Sequence, residues 1–358
     1  MQYKVKMCGA SADDYINDSI KVPSFEKIQE LVETEFEIEE SYVDHNIPTF
    51  HIKYKENSKE AFLRLMQSLK ALESLPVLRQ EGKKVVLQVL PKPEIKPNKN
   101  TVNIALFFAT LGTVFASGYL YSGNVIDGLL FTTAIMAILG SHEMGHKLLA
   151  DKHDVDATYP YFIPGLPPIG TFGALIRQKA LPPNKDALFD IGFTGPITGF
   201  IIAVIVTIIG AQISVVVPPD PSMEVIPITE LYPLIYRWIF QIFPPSTSGV
   251  ITQHPVAFAG WVGMVITMLN LVPSGMFDGG HVARSLMSNR MHQIVSYGGI
   301  ILLAIIWWPM AILALFFSAA KHPGPLDDVS TLTKSRKLGA IGLVAVFILS
   351  VVPMGIPF

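Results

Sequence analysis

The sequence predicts an all-α polytopic membrane domain of about six transmembrane helices, carried behind a small amino-terminal α+β soluble domain. Three observations carry that expectation. Half of the 358 residues are hydrophobic and only 16% are charged, against roughly 25% charged in ordinary soluble domains. The charges crowd into residues 1–100, rich in Lys and Glu, and thin out after Asn100. Beyond that point six apolar stretches reach or approach the roughly 20 residues that a bilayer-spanning helix needs. They lie at about 101–123, 125–150, 189–213, 256–277, 293–318 and 338–356. The expected division is a soluble domain over 1–95, a linker at 96–100 and a membrane domain over 101–358.

The amino-terminal domain is legible element by element. Ser24 can cap a helix running to about Phe36, and strand-like runs follow at Ile38–Val43 and Pro48–Tyr54. A second helix is expected from Ser58 to about Glu73, then a hairpin of Val77–Gln80 and Lys83–Leu90 turning at Glu81-Gly82. Pro91-Lys92-Pro93 through Pro97 forms a stiff, solvated linker. Nothing here carries recognisable chemistry, so a regulatory or docking role is expected.

The charges between the apolar stretches set an orientation. Lys92, Lys96 and Lys99 precede the first, and Lys147, Lys152, Arg177, Lys179 and Lys185 surround the loop after the second. Arg284 and Arg290 follow the fourth, whereas the 214–255 loop has only Arg237. The amino terminus is therefore expected in the cytoplasm. Lys321, Lys334, Arg336 and Lys337 dissent, because a simple span at 293–318 puts them on the other side unless the chain breaks near Pro309.

Residues 159–183 hold six prolines and three glycines. They form either a surface loop or a re-entrant hairpin beside the site, since irregular backbone at membrane depth needs protein or water against it. Residues 229–243 fit a short interfacial helix. Glycines at 112, 118, 123 and 128 suit helix packing better than a binding loop. A net charge of −2 with no basic stripe excludes a nucleic-acid partner. Cys8 is the only cysteine, which excludes an internal disulfide and a thiolate metal cage. The first twenty residues carry Asp13, Asp14 and Asp18 and no apolar core, so no cleavable signal peptide is expected.

The second apolar stretch contains His142-Glu143-Met144-Gly145-His146. Residues i and i+4 share one face of a helix, so both imidazoles can reach one zinc ion, with Glu143 beside them to take a proton from water. Ionisable groups at bilayer depth are costly, and a metal accounts for all three. Catalytic zinc usually has three protein ligands and one open position. No Glu lies between Glu143 and Glu224, and Leu149 and Lys152 stand where a further Gly and His would be needed for the extended soluble motif. Asp278 is the better third ligand: it ends the fourth stretch, which runs parallel to the second and delivers its polar groups at similar depth.

Together, His142-Glu143-Met144-Gly145-His146 and Asn270…Pro273…Asp278-Gly279 resemble the paired motif of the site-2 protease family of intramembrane metalloproteases. Gly195-Pro196 is similar to that family's recurring Gly-Pro, and the resemblance covers about 101–318. It implies His142, His146 and Asp278 as ligands of one zinc per chain, Glu143 as general base and acid, and Asn270 as a residue that positions substrate or stabilises the oxyanion. Phe277 stands where family members often have Leu, a bulky apolar exchange. The amino-terminal α+β domain, His322-Pro323 and Leu326-Asp327-Asp328 are similar to archaeal and plastid branches, which implies a multi-pass protein of a prokaryotic type of cell membrane.

Other titratable residues weigh less. His281, three residues after Asp278, suits a supporting or packing role, and His153 with Asp151, Asp154 and Asp156 suits a solvated helix end. The expected activity is zinc-dependent hydrolysis of a peptide bond in the transmembrane segment of another protein, the lipid bilayer and that segment being the partners. The rival is a six-helix transporter or channel with a His/Asp ion site. Asn270 and the separate Glu143 favour hydrolysis, because a permeation site needs no general base.

Overall fold

The computed structural model describes residues 23–93, 100–217, 232–244, 250–275, 277–306, 308–318 and 322–352. Cys8, nearly all of the expected 96–100 linker and much of the 214–255 loop lie outside the described residues. The chain divides into two compact units, one holding the amino-terminal part to Ile95 together with 183–185 and 323–331, the other holding the rest.

In the first unit, α1 (Phe25–Glu35) begins where the Ser24 side chain accepts a hydrogen bond from the Lys27 amide. β1 (Ile38–Asp44) and β2 (Ile47–Ile52) are joined through His45 and Asn46, both at positive φ, the conformation that a two-residue hairpin requires. Then follow α2 (Ser58–Lys70), β3 (Ser74–Glu81) and β4 (Lys84–Pro91), the last two turning at Gly82 with φ of 60°. The sheet is antiparallel in the order β1-β2-β4-β3, and Phe50, Phe62, Leu65, Leu78 and Leu87 are fully buried in its core. Residues 326–328 close the β3 edge: the Leu78 amide donates to the Leu326 carbonyl at 2.9 Å, and the Asp328 amide donates to the Leu78 carbonyl at 3.2 Å. An open strand edge invites pairing with other chains; this one is covered from within. Asp327 is fully buried there, its carboxylate accepting the amides of Val329 and Ser330 at 2.9 Å each and the Ser330 hydroxyl.

The second unit is helical. α3 (Asn100–Ser122), α4 (Val125–Lys152) and α5 (Lys185–Ile213) are long and apolar enough to cross a membrane. Between α4 and α5, β5 (Tyr161–Pro164) and β6 (Thr171–Leu175) form a hairpin. Beyond α5 come β7 (Val215–Val217), α6 (Leu234–Ile242), β8 (Val250–Thr252) and the shorter apolar helix α7 (Pro255–Asn270). The carboxyl-terminal part contains α8 (Asp278–Leu286), α9 (Asn289–Ile306), α10 (Trp308–Ser318) and α11 (Lys334–Ser350).

Glycine sets how closely the helices approach. Gly123, at φ of 69°, turns α3 back into α4. A Cβ on Gly118 would lie 2.8 Å from Phe131, and one on Gly128 would lie 3.1 Å from the Tyr119 amide, so both are packing positions, whereas Gly112 faces open space. α4 and α7 run parallel, since Asp127 meets His254 at 3.4 Å at their starts and, further along both, His142 of α4 meets Asn270, the last residue of α7, at 3.4 Å. The core between them and α5 is built from Ile135, Ile138, Leu139, Ala203, Val206 and Val262.

Two regions take one of the forms that the sequence left open. The hairpin packs along α3: Asn103 holds the carbonyls of Tyr159 and Pro160 at its base, and Thr113 donates to the Gly170 carbonyl at its tip. Ten residues of helix separate these contacts, about 15 Å along α3. The expected single span at 293–318 is instead divided, with Pro309 in the first turn of α10. The chain leaves along α9 from His292 and is back at His322, whose ring lies 5.5 Å from that of His292. The same end of the bundle holds the start of α11, where Arg336 reaches Asp190 of α5 at 2.6 Å and Asp186 at 3.3 Å. A chain that returns carries Lys334, Arg336 and Lys337 back to the end of the bundle where α9 begins.

Candidate metal centre

α4 presents His142 and His146 one turn apart, both buried, with their Nε2 atoms 3.1 Å from each other. The third member arrives differently from the sequence expectation. The fourth apolar helix stops at Asn270, and Asp278 begins α8 after a reversal through 271–277. That reversal is tight: the Ser274 amide donates to Val272 and the Phe277 amide to Ser274, and Gly275 has φ of 51°. Gly279 has no room for a side chain, because a Cβ would lie 2.2 Å from the Leu271 carbonyl oxygen. The reversal delivers the Asp278 carboxylate between the histidines, Oδ2 at 3.1 Å from His142 Nε2 and Oδ1 at 3.2 Å from His146 Nε2.

These three side chains are a group whose donor atoms all lie within 4.8 Å of one another. Two imidazole nitrogens and a carboxylate are a donor set suited to zinc, with a fourth position left open. The spacing also fits, because bonds of about 2.0–2.1 Å to a tetrahedral ion set ligands about 3.3 Å apart. The His146 Nδ1–H donates to the Ile191 carbonyl of α5 at 2.7 Å, which leaves Nε2 as the lone-pair atom facing the centre.

Glu143 lies on the same turn and is buried, with the backbone amide of Ile176, just beyond β6, near its carboxylate. Asn270, the last residue of α7, points its amide at His142. His281 is engaged elsewhere, its Nδ1 lying 2.8 Å from His322 Nε2. His153 caps α4 and pairs with Asp190 at 2.9 Å, itself held by Arg336, while Asp151, Asp154 and Asp156 around it are exposed. Asp151 pairs with Lys147. Three contributors escaped sequence reasoning: the Ile191 carbonyl, the Ile176 amide and the glycines of α5 beside the histidines. Two are backbone groups, and a glycine has no side chain to announce its neighbour; only Gly195-Pro196 offered a signal.

Comparison with known proteins agrees with this geometry. The model of Peptidase family M50 matches residues 130–306, which contain His142, Glu143, His146, Asn270 and Asp278. The chain is 25% identical over 309 residues to the "Probable zinc metalloprotease EGY2, chloroplastic" of Arabidopsis thaliana, covering 78% of this chain and 54% of that protein. It is 27% identical over 234 residues to "Probable zinc metalloprotease EGY1, chloroplastic" of the same plant, covering 62% and 42%. It is also 24% identical over 280 residues to "Probable zinc metalloprotease EGY3, chloroplastic" of Oryza sativa subsp. japonica, covering 70% and 48%. The chain thus spans about half the length of the curated relatives it matches. No solved structure matches it. The motif residues thus all lie inside the stretch of this chain that is similar to peptidase family M50.

Proposed function

We propose that this protein is a zinc-dependent endopeptidase that cleaves transmembrane segments of other membrane proteins within the bilayer. The observation that carries the reading is the convergence of His142, His146 and Asp278 beside the buried carboxylate of Glu143, with the histidines and Glu143 on a helix long and apolar enough to cross a membrane. His142 Nε2, His146 Nε2 and the Asp278 carboxylate would hold the ion. When bound, zinc supplies Lewis acidity that polarises the scissile carbonyl and makes water easier to deprotonate. Glu143 is not one of the converging donors, which leaves its carboxylate to take the proton from the attacking water and return it to the leaving amine nitrogen. The Ile176 amide lies near that carboxylate, and the Asn270 side-chain amide would steady the substrate carbonyl oxygen as charge develops on it. The printed names of the plant relatives, zinc metalloproteases, agree with this chemistry.

A substrate helix hides its peptide groups in its own hydrogen bonds, so it must unwind locally before Glu143 can act. The β5–β6 hairpin, reaching along α3 beside α4, offers polar backbone where an unwound segment would need it. The amino terminus would face the cytoplasm, as the Lys and Arg distribution favours. A transporter with an ion site would explain the converging ligands but not a neighbouring unliganded carboxylate. Detergent-purified protein should hold about one zinc per chain and cleave a transmembrane substrate in a chelator-sensitive way. A zinc-free preparation, or cleavage that persists through metal removal, would sink the proposal.

A further inference from the structure

α5 touches all three ligand residues, and it does so through glycine. A Cβ on Gly195 would lie 2.1 Å from His146 Nε2 and 2.4–2.5 Å from the adjoining ring carbons, so the α5 backbone rests against the imidazole itself. A Cβ on Gly199, one turn on, would lie 3.0 Å from His142 Nδ1. One on Gly192, a turn back, would lie 3.2 Å from the backbone oxygen of Asp278. Positions 192, 195 and 199 share one helical face. A second observation is independent of this small-residue stripe, namely the hydrogen bond from His146 Nδ1 to the Ile191 carbonyl on the same turn. Pro196 supplies no N–H to the carbonyl four residues back, so the helix ladder is incomplete just where it meets the ligands.

We infer that this face of α5 is the positioning element of the metal centre: Gly195 and Gly199 fix the two imidazole planes, and the Ile191 carbonyl fixes the His146 tautomer. The inference rests on the zinc reading above and adds residues that reading does not use. A bland alternative is that these glycines serve only helix packing. Gly210, on the same helix, is a case of that kind, since its Cβ would lie 2.3 Å from the Ala257 amide nitrogen, far along the helix from the ligands.

The two accounts rank three variants of the full-length protein differently. Steric crowding alone orders the damage as Gly195→Ala, Gly210→Ala, Gly199→Ala. Positioning orders the loss of metal binding as Gly195→Ala, Gly199→Ala, Gly210→Ala. Zinc affinity by chelator competition, and the visible spectrum after cobalt substitution, read the centre without using activity. Gly195→Ala should lower zinc affinity by about 100-fold and Gly199→Ala by about 10-fold, the range that loss of an outer-shell contact usually gives, each with an altered cobalt spectrum. Gly210→Ala should melt at a lower temperature yet bind zinc with wild-type affinity and spectrum. Should Gly195→Ala fail to fold, Gly199→Ala against Gly210→Ala decides alone. Equal zinc affinities in those two would overturn the inference while leaving the zinc reading intact. A wild type that binds no zinc would overturn both.

Discussion

The metal centre is assembled from two kinds of structure, and they differ in what holds the ligand. His142 and His146 sit mid-course on a 28-residue helix, and the i, i+4 spacing alone puts them on one face. Asp278 sits at the first position of a nine-residue helix, placed by a reversal against whose backbone the next two residues, Gly279 and Gly280, admit no side chain. The helix sets the spacing of its ligands through its own regularity, their rings then resting on α5, while the reversal places even the Cα of its ligand through contacts with neighbouring backbone. A regular element should therefore absorb small changes near its ligands, and the reversal should not.

The largest test of this difference removes the ligands themselves. His146→Ala and Asp278→Asn should each abolish cleavage and weaken zinc binding by more than the 10–100-fold that an outer-shell loss costs. Asp278→Asn is the more telling, because a lone buried aspartate would be expensive and its neutral replacement tolerated. A zinc-replete, active Asp278→Asn protein would show that the reversal is scaffolding only. Next in size, Glu143→Gln should keep about one zinc per chain and lose cleavage by about 10²–10⁴-fold, the usual worth of a general base. Metal analysis showing zinc loss like that of His146→Ala would move Glu143 into the coordination shell.

A subtler pair compares one added methyl in each setting. Gly279→Ala forces a Cβ to 2.2 Å from the Leu271 carbonyl and should weaken zinc binding and lower the melting temperature. Gly140→Ala on α4 meets nothing within 4 Å and should be silent or stabilising by up to about 1 kcal/mol, since alanine suits a helix interior better than glycine. Equal effects would erase the distinction between helix and reversal. Smallest at the centre, and outside both regions, is Asp327→Ala. It removes three hydrogen bonds to a buried carboxylate and should destabilise the amino-terminal unit by about 1–3 kcal/mol. Zinc content should not change; a loss there would connect the 323–331 segment to the centre.

What the sequence revealed follows the same division. In the amino-terminal unit Ser24, the strand-like run Ile38–Val43 and the Gly82 turn are local signals, and α1, β1 and the β3–β4 hairpin lie within a few residues of where they point. The histidine pair is equally local. The fold-back of α9 and α10 was not legible as such, because the apolar run at 293–318 has the same composition whether it crosses or returns. The start of α8 at Asp278 was missed for a related reason: Pro273, Ser274 and Gly275 look like the end of a span, and only the Phe277–Ser274 hydrogen bond shows the chain turning back. The α5 face was hidden because the partner of a glycine lies elsewhere in the chain.

The fold-back also bears on how the protein is made. At 11 residues, α10 is about 16 Å long, roughly half the hydrocarbon thickness, and α9 at 18 residues is about 27 Å. If the pair enters lipid, α10 alone is too short to serve as an independent stop signal, and the two would enter as one hairpin. Until His322 comes back beside His281 and His292, the chain behind it has no fixed side on which to start α11. Lengthening α10 by one apolar turn is then a change in topology disguised as an insertion: it would favour a crossing and strand Lys334, Arg336 and Lys337 on the wrong face.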